Sequence, residues 1–244
     1  MRNTKAAIVG LMVSVVLGST AVAQPSLDKV FKSFQDKGGK TTTEASGSQV
    51  VQGLKEALRV GTDQAVTSTG QTDGFFGNPL IKIVMPEKFQ SLEKGLRLAG
   101  YGAEVDAFVL SMNRAAETAA PQAKQIFVNA ITSMSFADAK QILQGGDTAA
   151  TDFFKTTTSD ELYNAFRPVV DGTMNEVGTV QKYNALLGQA KKLPFVQGQN
   201  LDVENYVTNK ALDGLFVMVA KEEQNIRQNP AARITPLLQK VFGP

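Results

Sequence analysis

Apolar residues recur along most of this chain at the spacing of a single helix face. Val50, Leu54, Ala57, Leu58, Gly61 and Ala65 set the pattern. Ala123, Ile126, Phe127, Ala130 and Ile131 repeat it, as do Phe136, Ala139, Ile142 and Leu143, and again Tyr183, Leu186, Leu187 and Ala190. A 3.6-residue period with polar residues between predicts amphipathic helices around a common core. A further helix is predicted from Val203 to about Arg227. Its middle, Leu215 to Ala220, is apolar on every side and is expected to be the most buried piece of the molecule. The fold class that follows is mainly α, a single-domain multi-helix bundle around one buried central helix.

Boundary residues agree with these elements. Ser135 with Asp138, and Thr158 with Glu161, have capping-box spacing, in which a hydroxyl accepts from an open first-turn N–H. Gly145-Gly146 ends one helix and Asp147 is placed to cap the next. Pro121 and Pro230 stand where first-turn prolines are tolerated, and Leu201 and Tyr206 flank an expected Asp202 cap. Pro168, inside a helical pattern, is expected to kink or end it. Gln71 to Pro86 breaks the pattern. Asp73-Gly74 and Gly77-Asn78-Pro79 lead into Leu80 to Met85, a turn-rich loop running into a possible short strand or hairpin near 80–85, with Leu193 to Val196 as a candidate partner.

The start of the chain reads as a secretory signal over residues 1–23. Arg2 and Lys5 are followed by the apolar run Ala6 to Leu17 and by Ala21-Val22-Ala23, small residues where a signal peptidase reads. The run falls short of the roughly 20 residues that span a bilayer. Cleavage near Ala23 and export, most naturally to a periplasm, are the expectation. Residues 24–48 then read as a short amphipathic helix (Leu27, Val30, Phe31, Phe34) and a polar Gly/Ser/Thr-rich flexible linker, and residues 49–244 as the helical domain.

Charge narrows the partners. The net charge of +2 comes from the signal alone, because losing Arg2 and Lys5 leaves 23 basic residues against 23 acidic ones. A balanced chain has no clustered Lys/Arg for nucleic acid or an anionic surface, and no later apolar run is long enough to span a membrane. With no cysteine and no histidine, thiol nucleophiles, His-based triads and the usual zinc sites are excluded. No cofactor and no metal ligand set is expected.

The remaining chemistry rests on a few residues. Ser91 and Lys94 match Ser-x-x-Lys, but Ser-Asp-Asn and Lys-Thr-Gly partners are missing, and a solvated Lys94 near Glu93 and Arg97 is the plainer reading. On the helix near Val105 to Ala119, Val105, Phe108, Val109, Met112, Ala116 and Ala119 share one face. Asp106, Asn113 and Glu117 lie on its flank, and Arg114 is expected to point away. Asn113 and Glu117 could line an internal polar site or tie the helix to a neighbouring arginine. Asp147 and Asp152 flank a helix start that could bind an anion, be capped by Asp147 itself, or contribute to a hard-cation site. Phe75 and Phe76 could form a contact loop or fold into the core.

Four strings, Thr72-Asp-Gly-Phe-Phe-Gly-Asn-Pro79, Leu110-Ser-Met-Asn-Arg-Ala-Ala-Glu117, Gly145-Gly-Asp-Thr-Ala-Ala-Thr-Asp-Phe-Phe154 and Asn229-Pro-Ala-Ala-Arg233, resemble those of the bacterial family called domain of unknown function 4197. The resemblance runs from about Leu27 to Gly243. It implies an exported, helical bacterial protein and no activity, catalytic residue or ligand. The reading that follows is a non-enzymatic envelope protein binding a partner protein or a small apolar or amphiphilic ligand between helices. The alternatives are a carboxylate-dependent hydrolase using Glu117, Asp147 or Asp152, and a structural adaptor.

Overall fold

In the computed structural model, residues 40–176, 188 and 202–229 are described, with backbone alone at 40–46 and 88. Among them the regular structure is entirely helical: α1 Lys40–Gly70, α2 Gln90–Leu98, α3 Gly102–Ala119, α4 Ala123–Ser133, α5 Phe136–Gln144, α6 Ala149–Glu176 and α7 Val203–Gln228. Short 3-10 turns, Glu87–Phe89 and Ala120–Gln122, lead into α2 and α4. The predicted signal, the helix at 27–34, the stripe from Tyr183 to Ala190, the strand candidate Leu193 to Val196, Leu201 and Pro230 lie outside the described residues.

The stripes face one core. Leu54, Ala57, Leu58 and Ala65 of α1 are buried, as are Ala123, Ile126, Phe127 and Ile131 of α4 and Ala139, Ile142 and Leu143 of α5. Removing such side chains from water drives the packing, at about 1.5–3 kcal/mol for each large one. The Phe127 ring meets Phe154 of α6 at 5.0 Å and Phe216 of α7 at 6.3 Å, both edge-on. These contacts lock α4, α6 and α7 together in the offset geometry that aromatic quadrupoles favour.

α7 packs against α6, α1 and α3, and Leu215, Phe216, Met218 and Val219 are buried as the apolar run predicts. Val217 is the exception, 44% exposed. It shares the outward side of α7 with the exposed Lys210 and Asp213, so the helix is central without being enclosed all round.

Two caps follow the sequence. Ser135 accepts from the Asp138 N–H at 3.1 Å, and the Asp138 carboxylate accepts from the Ser135 N–H at 2.9 Å, a complete capping box. Asp202 caps α7 by accepting from the Asn205 N–H at 2.9 Å.

Three expectations are corrected and a fourth is narrowed. α1 begins at Lys40, inside the stretch read as a linker. With no proline between 40 and 70, the helix propagates backwards at one hydrogen bond per residue, although Thr and Ser favour it little. Of the two outcomes expected at Pro168, a kink or an end, the helix does not end: α6 continues to Glu176, because packing on α7 and α3 outweighs one lost backbone bond. Thr158 is an interior residue of α6 that donates to the Phe154 carbonyl at 2.6 Å, so it caps nothing. The 80–85 segment forms no ladder: turns run through Ile81 and extended chain follows to Pro86. Leu80, Ile81 and Lys82 donate to Asn78 in the turn, and the backbone of Ile83 and Val84 bonds to side chains of α3 and α7.

Candidate functional site

Asn113 is fully buried and faces the extended segment. Its amide does what a neighbouring strand would do. Oδ1 accepts from the Ile83 N–H at 2.8 Å, while Nδ2 donates to the Ile83 carbonyl at 2.7 Å and to the Val109 carbonyl at 2.8 Å. A primary amide carries both a donor and an acceptor, so one side chain satisfies both backbone groups of Ile83.

One turn further on, Glu117 closes the preceding turn. Its Oε1 accepts from the N–H groups of Phe75 and Phe76, each at 3.0 Å, and its Oε2 accepts from Arg114 Nη1 at 2.6 Å. Arg114 also donates to Asp73 Oδ1 at 2.7 Å through Nη2. The expectation that Arg114 points away is therefore corrected: its long stem bends along α3 and puts the planar guanidinium between two carboxylates. The hydrogen bond to Glu117, then that to Asp73, raises the Arg114 pKa further and keeps it charged.

Asp73 has φ +63°, a left-handed conformation that aspartate tolerates better than most residues. Gly74 follows because a Cβ there would strike the carbonyl oxygens of Ser68 and Thr69. The turn delivers Phe75 into the core, where its ring covers Gly214 of α7. A Cβ at Gly214 would lie 2.5 Å from that ring. Phe76 is half-buried with the Lys82 ammonium 3.8 Å from its ring centroid and the Arg114 guanidinium at 5.9 Å, both within cation–π range.

Along α7 the segment runs antiparallel to the helix. Asn78 Nδ2 meets Met218 Sδ at 3.5 Å, Ile81 lies over Gly214, and the Tyr206 hydroxyl donates to the Val84 carbonyl at 2.9 Å. Burial raises the Tyr206 pKa, so the phenol keeps the proton it donates. Ile81, Ile83 and Met85 point inward. Leu80 and Val84 point outward, 66% and 53% exposed.

Asp147 and Asp152 are exposed. Asp147 does not cap α6, which corrects that expectation. The cap comes from Glu223 of α7, whose Oε1 accepts from the Ala150 N–H at 2.9 Å and whose Oε2 accepts from the Thr151 N–H at 2.9 Å and the Thr151 hydroxyl at 2.8 Å. Arg227 Nη2 pairs with the same carboxylate at 2.9 Å and donates to the Ile142 carbonyl at 3.0 Å. The helix start thus holds an anion, supplied by the chain itself. Sequence reasoning missed Glu223. Its signal was a charged residue on the apolar stripe between Val219 and Ile226, with arginine four residues on.

Glu117 is enclosed in its latch on α3 while Asp147 and Asp152 face solvent at the start of α6, so these carboxylates do not share a cleft. Among the described residues no group of three or more His, Cys, Asp or Glu could hold a metal ion, and no helix is long and apolar enough to cross a membrane. Ser91 and Lys94 are both exposed on α2. A recess between α1, α6 and α7, walled by Leu54, Leu58, Phe154, Val219 and Ile226, encloses about 30 Å³, room for about two waters and far below the roughly 300 Å³ at which ligand pockets begin.

No curated protein and no solved structure matches the chain. Residues 44–243 match the family described as protein of unknown function DUF4197, whose span takes in the Asp73–Met85 latch, the Glu223 cap and every helix from α2 to α7 together with nearly all of α1. The chain belongs to the DUF4197 family.

Proposed function

We propose that this protein is exported to the cell envelope and acts there without catalysis, by binding a partner protein. The observation that carries the reading is the latch on α3. Asn113, Glu117 and Tyr206 hold an extended segment against α3 and α7 through its backbone, leaving Leu80 and Val84 on the surface. Val217 of α7 is exposed as well. Apolar side chains held outward in one place by buried polar groups suit a contact surface better than a substrate site. The recess of about 30 Å³ favours a protein partner over an amphiphile buried between helices. A hydrolase is less supported, since Glu117 is saturated by hydrogen bonds within the chain and the two aspartates face open solvent.

The test is a photoreactive residue at position 84 in cells. A discrete cross-linked species that disappears with Leu80→Asp is expected, and a control probe at the exposed Thr156 should give none. Equal labelling from both positions would refute the contact surface. Export is tested separately by fusing residues 1–23 to a reporter, which should be secreted and cleaved after Ala23.

A further inference from the structure

We propose that Asp73-Gly74 is a site of spontaneous isoaspartate formation, and that the Arg114 clamp sets how fast it isomerises and so how long the latch on α3 lasts. The chemistry needs an aspartate followed by a residue with no side chain to obstruct the approach of its nitrogen. The Gly74 nitrogen attacks Asp73 Cγ and a C–N bond forms. A carboxyl oxygen leaves as water, taking the amide proton and one proton from solvent. Water then adds to the resulting succinimide. Where it adds at the original peptide carbonyl, that C–N bond breaks and the chain runs on through Cγ. The former peptide carbonyl becomes a free carboxylate and a proton returns to solvent. Mass is unchanged over the two steps, and the backbone is one carbon longer.

The sequence holds three such pairs, Asp73-Gly74, Asp171-Gly172 and Asp213-Gly214. The last two stand inside α6 and α7. There the helical ladder holds each glycine N–H on a carbonyl one turn back, and the backbone cannot turn to bring the nitrogen onto Cγ. Exposure does not separate the pairs, since the Asp213 side chain is 67% exposed and that of Asp73 57%. Asp73 lies in a turn with φ +63°, a left-handed backbone whose steric cost favours opening. Three contacts restrain it. The Gly74 N–H donates to the Gln71 carbonyl at 3.0 Å, the Gly77 N–H to the Asp73 carbonyl at 2.9 Å, and Arg114 Nη2 to Asp73 Oδ1 at 2.7 Å. The first occupies the attacking nitrogen, and the third anchors the carboxyl that this nitrogen must reach. Two of the three are local to the turn, whereas the Arg114 contact comes from α3 and is removed by one substitution. Phe75 and Phe76 follow directly and give their N–H groups to Glu117 at 3.0 Å each. An extra backbone carbon before them moves those donors off the carboxylate or draws the Phe75 ring out of the core.

The test is to hold the full folded chain at neutral pH and body temperature and sample it over weeks. Trypsin separates the three pairs into peptides 60–82, 156–182 and 211–221. Isoaspartate in each is measured by chromatography and by resistance to an aspartate-specific protease. It is expected at Asp73 ahead of both helical pairs. In Arg114→Ala it should form at Asp73 about tenfold faster, the change expected when a hydrogen bond between charged groups no longer restrains local opening, with Asp171 and Asp213 unmoved. Those two pairs report global unfolding of the variant, so a rise at all three sites in step overturns the proposal. An unchanged rate at Asp73, or accumulation at Asp171 or Asp213 as fast as at Asp73 in the parent chain, overturns it too. As an independent arm, the isomerised fraction of the parent chain should exchange the amide hydrogens of residues 75–86 faster than fresh chain while α5 keeps its protection. Exchange at 75–86 that is the same in both fractions also overturns it.

Discussion

Glu117 must have its lone pairs matched because it is nearly enclosed. It meets that demand with two backbone donors and a guanidinium. Glu117→Gln keeps the shape but removes the charge and sets an NH₂ group against donors on one side. The expected loss is about 2–3 kcal/mol in urea unfolding. Asp106→Asn, on the same helix and paired with Arg97 in solvent at 2.7 Å, should leave the urea midpoint almost unchanged. Periodicity alone placed Asn113 and Glu117 on the flank of α3. It could not name their partners, because the groups they hold lie 30 and 42 residues away in sequence. The bend of Arg114 was illegible for another reason: a long flexible side chain goes where its counter-charges are, and those are set by the fold.

Among the elements, local caps and remote caps behave differently. The Ser135–Asp138 box was readable because both partners sit within one turn. The Ser135 hydroxyl, then its backbone N–H, holds the Asp138 carboxyl below its ordinary value. A depressed folded-state pKa contributes stability above the unfolded value of about 3.9 and loses it as pH falls through the folded value. Asp138→Asn should therefore lower Tm at neutral pH, and the gap to the parent chain should close in acid, followed by circular dichroism melts between pH 7 and pH 2. A gap that stays constant would show that the charge plays no part. The start of α6 was misread because the better cap, Glu223, arrives from 72 and 73 residues further along the chain, and a buried carboxylate with an arginine beside it outcompetes an exposed Asp147. The 80–85 segment was legible as extended chain. That its backbone would be paired by an amide and a phenol was not.

At the scale of the whole molecule, the core forms where α4, α6 and α7 meet around Phe127, Phe154 and Phe216. Phe216→Ala should cost about 3–5 kcal/mol in thermal or urea unfolding, whereas Val217→Ala, one residue on and outward, should stay within about 0.5 kcal/mol. The apolar run Leu215 to Ala220 marked α7 as central without showing which side stays open, since a run that is apolar all round carries no phase. By itself the sequence determined the helical class, the helix faces and the Ser135 and Asp202 caps, because each depends on residues a few positions apart, and its composition excluded cysteine and histidine chemistry. Only the tertiary structure decided what the buried polar groups hold. Asn113, Glu117 and Glu223 meet backbone groups brought from distant parts of the chain, and an enclosed donor or acceptor bonds whatever complementary group the packing places within 3 Å of it.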